Sequence, residues 1–309
     1  MSKMIATRNA YKDALVALGE KNENVVVLDA DLAKSTMTYD FSQSFPQRFF
    51  SIGIAEANMT GIAAGLAAAG KIPFASTFAI FATGRAYEQI RNSIAYPNLN
   101  VKIAATHAGI TVGEDGASHQ SVEDIGLMRG IPNMSVICPA DGPETVAAVM
   151  AAAEHQGPVY LRMGRAAVPV ITEEEQKLEW GKAKLLRQGQ DVSILTTGMM
   201  TALALQAAEI LAAEGIEAEV LHLPFIKPLD EEAVLATAAK TKRVVTAEEH
   251  SIINGLGSAV AEVLSEKLPT PLRRVGIKDT FGESGKPADL LIKYGLTPEE
   301  IVKKAKELI

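Results

Sequence analysis

The sequence predicts an α/β protein built from two doubly wound units. Short apolar runs of strand length alternate with helix-period stretches along nearly the whole chain, the pattern of parallel sheets covered on both faces. The alternation lapses at Val168-Pro169-Val170-Ile171-Thr172-Glu173-Glu174-Glu175-Gln176-Lys177, where apolar density is lost. It then resumes as a second series of the same kind, and 309 residues suffice for two domains of ordinary size.

In the first unit the expected strands are the apolar runs 25–28, 49–52, 73–76, 101–105, 135–138 and 159–163. Helical patterns at 7–20, 56–69, 84–96 and 144–155 separate them. The stretch 168–177 reads as an exposed linker and puts the boundary near residue 178, so the domains are expected at 1–177 and 178–309. Beyond it, strands are expected at 192–196, 219–223, 243–247 and 272–275, with helices at 202–214, 231–239, 256–267 and 298–308. The glycines of Thr196-Thr197-Gly198 and Asn254-Gly255-Leu256-Gly257-Ser258 lack the spacing of a dinucleotide fingerprint and read as tight turns.

Composition narrows the class. With 48% hydrophobic and 22% charged residues the chain reads as soluble and globular, and no run approaches the roughly 18 apolar residues of a membrane span. Residues 1–8 lack the apolar segment of a secretory leader and run into a helical pattern, so the mature chain is expected to start there. Thirty basic against 37 acidic residues, without a basic stripe, argue against nucleic acid as a partner. The single cysteine, Cys138, excludes an internal disulfide and a cysteine-based zinc site. Its apolar setting, with no base beside it in sequence, reads as a strand end rather than a nucleophile, and a reducing, cytoplasmic location is expected.

The chemistry-bearing residues cluster after three expected strands. His107, in Thr106-His107-Ala108-Gly109, precedes Gly113-Glu114-Asp115-Gly116-Ala117-Ser118-His119-Gln120, so titratable groups gather where open α/β sheets place their ligands. Glu56 opens a helix rich in small residues, Gly61, Ala63, Ala64, Gly65, Ala67, Ala68 and Ala69. It reads either as a partner of the helix dipole or as a carboxylate buried where helices or subunits pack closely, and burial would suit it to proton exchange. Phe78 and Phe81 are a core pair or a stacking platform for a flat ring. His155 reads as a helix-end partner of the dipole, His222 as a satisfied core histidine, and His250 as the start of a loop.

These segments, in this order, resemble the transketolase family of thiamine diphosphate enzymes. The matching motifs are Gly53-Ile54-Ala55-Glu56-Ala57-Asn58, Thr77-Phe78-Ala79-Ile80-Phe81, Thr106-His107 and Gly113 to Gln120, with support from Ile5-Ala6-Thr7-Arg8 and Ala30-Asp31-Leu32-Ala33-Lys34-Ser35. The resemblance covers the family's pyrimidine-binding and C-terminal domains, and implies a thiamine diphosphate-binding fold followed by a transketolase C-terminal-like domain. It implies that Glu56 hydrogen-bonds the cofactor's pyrimidine, that Phe78 and Phe81 pack on that ring, and that Asp31 helps to place it. It further implies that His119 assists proton transfer at the reacting hydroxyls, that His107 shares in catalysis, and that Asp115 recognises a sugar hydroxyl. Arg8, Ser35, His107 and Arg165 would bind the sugar phosphate, with Arg162 the rival of Arg165. In two places the chain departs from the family pattern: Gly84 stands where relatives carry a third aromatic, and Lys34 where they carry proline.

The family's Gly-Asp-Gly motif for diphosphate and metal is missing. The resemblance therefore implies that Mg or another divalent metal is held by a separate N-terminal subunit, and that this chain, with no metal site of its own, forms a homodimer within a heterotetramer. The implied reaction moves a two-carbon ketol unit between sugar phosphates, pentose phosphates by default. The alternatives are a deoxyxylulose-phosphate synthase-like enzyme, a 2-oxo acid dehydrogenase β-subunit and a non-catalytic assembly subunit. Thr106-His107 with Gly113-Glu114-Asp115-Gly116 weighs against the first two, and the joint presence of Glu56, His107, Asp115 and His119 against the third.

Overall fold

A computed structural model describes residues 3–309. The chain forms a mixed α/β structure around two predominantly parallel sheets, with a small two-stranded pairing beside them. The first sheet has seven strands in the order Phe225–Lys227, Ser135–Ile137, Val159–Arg162, Lys102–Thr106, Ile72–Phe78, Val25–Asp29, Phe49–Ser51. All pairs are parallel except the first. Alternation within a single strand explains the two-sided cover. Val25 and Val27 face a core shared with Tyr11, Leu15, Val149 and Ala152 of the helices Thr7–Lys21 and Gly142–Glu154, whereas Val26 and Leu28 face Met59, Ala63, Ile103, Ile125 and Met128. Burial on both faces is why these runs are continuously apolar.

The second sheet runs Leu272–Ile277, Val244–Ser251, Val192–Thr196, Ala218–His222, Lys184–Arg187, with only the last pair antiparallel. Met200–Ala213 and Pro298–Lys306 cover one face, Glu231–Thr241 and Leu256–Lys267 the other. No helix among the described residues is long and apolar enough to cross a membrane.

Several expectations need correction. The stretch 168–177 is not simply an exposed linker. Ala167–Pro169 pairs antiparallel with Met4–Ala6, and Thr172 is buried. The backbone amides of Ile171 and Thr172 donate to Asp141 Oδ2 at 2.7 Å each, and Thr172 Oγ1 donates to Asp141 Oδ1 at 2.6 Å. Backbone pairing holds this segment, which is why its side-chain composition hid the order. The helix expected at 84–96 is instead a broken one, with π-helical turns at Phe81–Arg85 and Ile90–Ala95 flanking the short α-helix Tyr87–Gln89. Such turns accommodate an extra residue and recur at functional sites.

His250 lies inside the strand Val244–Ser251, not at the start of a loop. His155 closes the helix Gly142–Glu154 as expected; burial and nearby Lys102 lower its pKa, and its ring stacks on Trp180 at 3.9 Å. The turn before Leu256 is closed to an anion because Glu248 already accepts from the amides of Leu256 and Gly257 at 2.7 and 2.8 Å. Cys138 is buried, and that burial raises its thiol pKa.

Asp141 is fully buried and also caps the helix Gly142–Glu154 by accepting from the Glu144 amide. Its replacement in Asp141→Ala strands several buried donors, and the expected loss is about 2–4 kcal/mol. Urea denaturation measures it; a loss below about 1 kcal/mol would show that the stretch 168–177 is held by other contacts.

Candidate active site

Parallel pairing brings the carboxyl ends of Val25–Asp29, Ile72–Phe78, Lys102–Thr106 and Val159–Arg162 to one edge of the first sheet. The loops leaving that edge carry the candidate residues, as the geometry of open α/β sheets requires. Asp29 organises the first of these loops. Fully buried, it accepts from the Leu32 amide at 2.6 Å and from the Thr36 and Thr38 hydroxyls at 2.6 and 3.0 Å. Burial raises its pKa against those three hydrogen bonds.

Glu56 opens the helix Glu56–Ala68 and is only 4% exposed. Its Oε1 accepts from Arg85 at 2.9 Å, and the Arg85 guanidinium lies 4.1 Å from the centroid of the Phe81 ring. A buried carboxylate is thus satisfied by a planar cation resting on an aromatic face. Gly84 has open space where a side chain would begin, and the neighbouring Arg85 is the residue that reaches the ring. Phe78 lies nearly parallel to Phe81 with centroids 5.6 Å apart, and His107 stacks on Phe78 at 3.7 Å. His119 meets Phe81 edge-on at 5.3 Å, with its Nδ1 2.9 Å from Ser118 Oγ.

His107 sits in the left-handed backbone region at φ 59° and is buried. Its Nε2 lies 3.3 Å from Arg8 Nη1 and its Nδ1 2.9 Å from Thr106 Oγ1. An arginine only donates, so Nε2 accepts and the ring proton sits on Nδ1, donated to Thr106. Burial, with the nearby charges of Arg8, Arg165 and His119, pushes the His107 pKa down to about 3. His107 is therefore a neutral ring whose Nε2 accepts from Arg8.

Arg8 also donates to the Ser35 carbonyl at 3.0 Å, and its buried Nε has no partner among the described residues. Burial and the charge of Arg165 lower its pKa. Arg165 lies 3.6 Å from Glu114 Oε2 and 3.8 Å from Asp115 Oδ2, and donates to the Val112 carbonyl. Arg162, by contrast, is buried and bound to Asp124 at 2.8 Å.

A continuous chain of contacts thus runs from Glu56 through Arg85, Phe81, Phe78 and His107 to Arg8 and Ser35, with His119 against Phe81. Arg165 and Asp115 flank it. Asp31 stands exposed at φ 64° on the Ser35 loop, outside this chain of contacts. Sequence reasoning missed Arg85, whose only signal was its position four residues after Phe81. Among the described residues no group of three or more His, Cys, Asp or Glu side chains is arranged to hold a metal ion.

Comparison with known proteins agrees with this geometry. The transketolase pyrimidine-binding domain model matches residues 3–170, and the transketolase C-terminal domain model matches residues 181–301. The chain is 55% identical over 304 residues to a Methanocaldococcus jannaschii protein assigned as a transketolase C-terminal section, covering 97% of this chain and 95% of that one. It is 50% identical over 301 residues to a 6-deoxy-6-sulfo-D-fructose transketolase subunit of a Clostridium species, covering 97% and 94%. A split-gene transketolase solved as an inactive beta4 tetramer superposes with a TM-score of 0.93 at 57% identity, covering 98% of each chain.

The neutral state of His107 has a measurable sign. Its folded pKa lies below the ordinary 6.5, so the unfolded chain binds a proton that the folded chain refuses as pH falls from about 6.5 toward 3, and stability drops across that window. In NMR titration the His107 ring signals are expected to stay at neutral-imidazole positions from pH 8 to about 5. An inflection near the ordinary value would overturn the assignment.

Proposed function

This chain belongs to the transketolase family, and we propose that it is the pyrimidine-binding and C-terminal half of a two-chain enzyme that moves a two-carbon ketol unit between sugar phosphates. The observation that carries this reading is the buried Glu56 carboxylate beside the Phe81 ring, linked by direct contacts to the polar loop that holds His107 and His119. A carboxylate already paired with a flat donor on an aromatic face suits an aminopyrimidine, which is flat and hydrogen-bonds in its own plane.

Thiamine diphosphate, when bound, supplies the nucleophilic carbon that takes up the two-carbon unit. Glu56 holds and exchanges a proton at the pyrimidine ring nitrogen, Phe81 and Phe78 back that ring, and Asp31 borders it. Because Ser118 engages His119 Nδ1, Nε2 is left to exchange protons with the sugar's reacting hydroxyls. Asp115 accepts from a further hydroxyl, which favours one epimer over another. Arg8 and Arg165 repel each other, and the Arg8 Nε lacks a partner, so a phosphate between them relieves both costs. Ser35 completes that end, with His107 orienting Arg8 through Nε2, and Lys34 adds a nearby positive charge.

The diphosphate and a divalent metal, Mg or another, are assigned to a separate N-terminal subunit, because relatives covered almost end to end by this chain are a transketolase C-terminal section and a split-gene transketolase. The helix Glu56–Ala68 leaves Gly61, Ile62 and Gly65 exposed, a small-residue face that supports pairing with a second copy in a heterotetramer. Two transketolase-type relatives match at 50–55% identity and 1-deoxy-D-xylulose-5-phosphate synthases at 36–39%, which favours ketol transfer over the decarboxylating alternatives.

The test is ketol transfer from xylulose 5-phosphate to ribose 5-phosphate by this chain with its N-terminal subunit, thiamine diphosphate and magnesium. Activity is expected only with both chains, and Glu56→Gln is expected to lower kcat/KM by about 10²–10⁴-fold. A stable two-chain complex that binds the cofactor yet transfers no unit from any ketose phosphate would sink the reading.

A further inference from the structure

The residues of the candidate site all come from the first unit, yet the loop that carries His107, Asp115 and His119 is held by the second. Glu249, in the strand Val244–Ser251, is 5% exposed and reaches across to accept from the Thr111 backbone amide through Oε1 at 2.8 Å. Thr111 lies midway between His107 and Asp115 in the sequence. Gly109, at φ 81°, passes so close to that carboxylate that a side-chain carbon there would collide with it. Only glycine permits both the backbone conformation and the approach.

The far end of the loop is tied as well. Gln120 donates from Nε2 to the carbonyls of Ile110 and Gly113 at 3.2 and 3.3 Å, and to the Glu283 carbonyl of the second unit at 2.8 Å. The Ser251 amide donates to the Val122 carbonyl at 2.7 Å. Glu249 is itself immobilised, because Arg162 donates to its backbone carbonyl at 2.9 Å while binding Asp124. Its carboxylate is thus a rigid, buried acceptor aimed at the middle of the loop.

We propose that Glu249 is a positioning residue: its carboxylate fixes the backbone of the 107–121 loop, so that Asp115 and His119 are presented to the sugar in one geometry. The second unit then acts on the reaction through this clamp rather than by contact with substrate. The proposal rests on the ketol-transfer reading of the site, and its consequence for rate follows from the steep cost of misplacing groups near a reacting centre.

The experiment compares Glu249→Ala and Glu249→Gln, each in complex with the N-terminal subunit and thiamine diphosphate. Glu249→Ala is expected to lower kcat/KM for the ketose donor about 10- to 100-fold, with thiamine diphosphate affinity within about twofold of the parent because Glu56 and Phe81 are untouched. Glu249→Gln, whose amide oxygen still accepts from Thr111, is expected to recover most of the activity. Hydrogen exchange of amides 108–116 in this chain alone reads the clamp without any reaction, and should accelerate at least about tenfold in the alanine variant. Should Glu249→Ala not fold, Glu249→Asp withdraws the oxygen by one methylene and is expected to show the same pattern.

Unchanged sugar kinetics in Glu249→Ala, or equal loss of cofactor affinity and turnover, would overturn the proposal. Absence of ketol transfer in the parent complex would instead remove the functional reading. Exchange then decides the clamp alone, and unchanged loop protection rejects it.

Discussion

Arg162 and Asp124 form a buried ion pair on which both halves of the molecule converge. Arg162 binds the carboxylate through Nε at 2.8 Å and Nη2 at 3.2 Å, and the Tyr160 hydroxyl donates to the same group at 2.7 Å. Burial alone would raise the Asp124 pKa, but Arg162 and His250 reverse this and hold it below the ordinary carboxylate value. Removing one member of such a pair costs roughly 3–5 kcal/mol, because the other is left as an uncompensated buried charge. The pair joins the end of the strand Val159–Arg162 to the helix Asp124–Arg129, and its second guanidinium nitrogen extends the junction to Glu249. The strand end, the helix and the second sheet therefore share one fixed relation.

Other junctions between the units are polar in the same way. Glu144 Oε2 accepts from the Ala140 amide at 2.7 Å and lies 2.7 Å from His222 Nε2, whose Nδ1 meets Thr201 Oγ1 at 3.0 Å. Hydrogen-bonded groups in a dry interface tolerate little displacement, since each lost partner leaves an unsatisfied polar atom. An apolar contact of similar area would permit sliding. The rigidity that follows reaches the candidate site through the loop 107–121, which carries Gly109, Gly113 and Gly116.

The α/β class and the order of the main elements were legible in the sequence because strands buried on both faces must be continuously apolar. Residues 25–28 are an example: Val25 and Val27 enter one core, Val26 and Leu28 the other. What escaped were elements stabilised by backbone pairing or by position. Ala167–Pro169 is only three residues long and ends in proline, a poor strand signal, yet pairs with Met4–Ala6, and Phe225–Lys227 leaves its own unit to join the edge of the first sheet. Local pattern carries no information about either partner, because the paired residues lie far apart along the chain.

The sequence by itself determined which residue types stand at the carboxyl ends of the first sheet: Glu56, Phe78, Phe81, His107, Asp115 and His119 all lie just after strands or in the loops that follow them. Their mutual contacts were decided by the tertiary structure. Arg85 reaches Glu56 because a π-helical turn places it over Phe81, and His107 stays neutral well below pH 6.5 because packing buries it between Phe78 and Arg8. Glu249 looked like one of three consecutive polar residues, Glu248-Glu249-His250, and became a loop clamp only when the second sheet met the first. Residue identity and periodicity are local quantities, whereas burial, protonation state and hydrogen-bond partnership depend on groups brought together from distant parts of the chain.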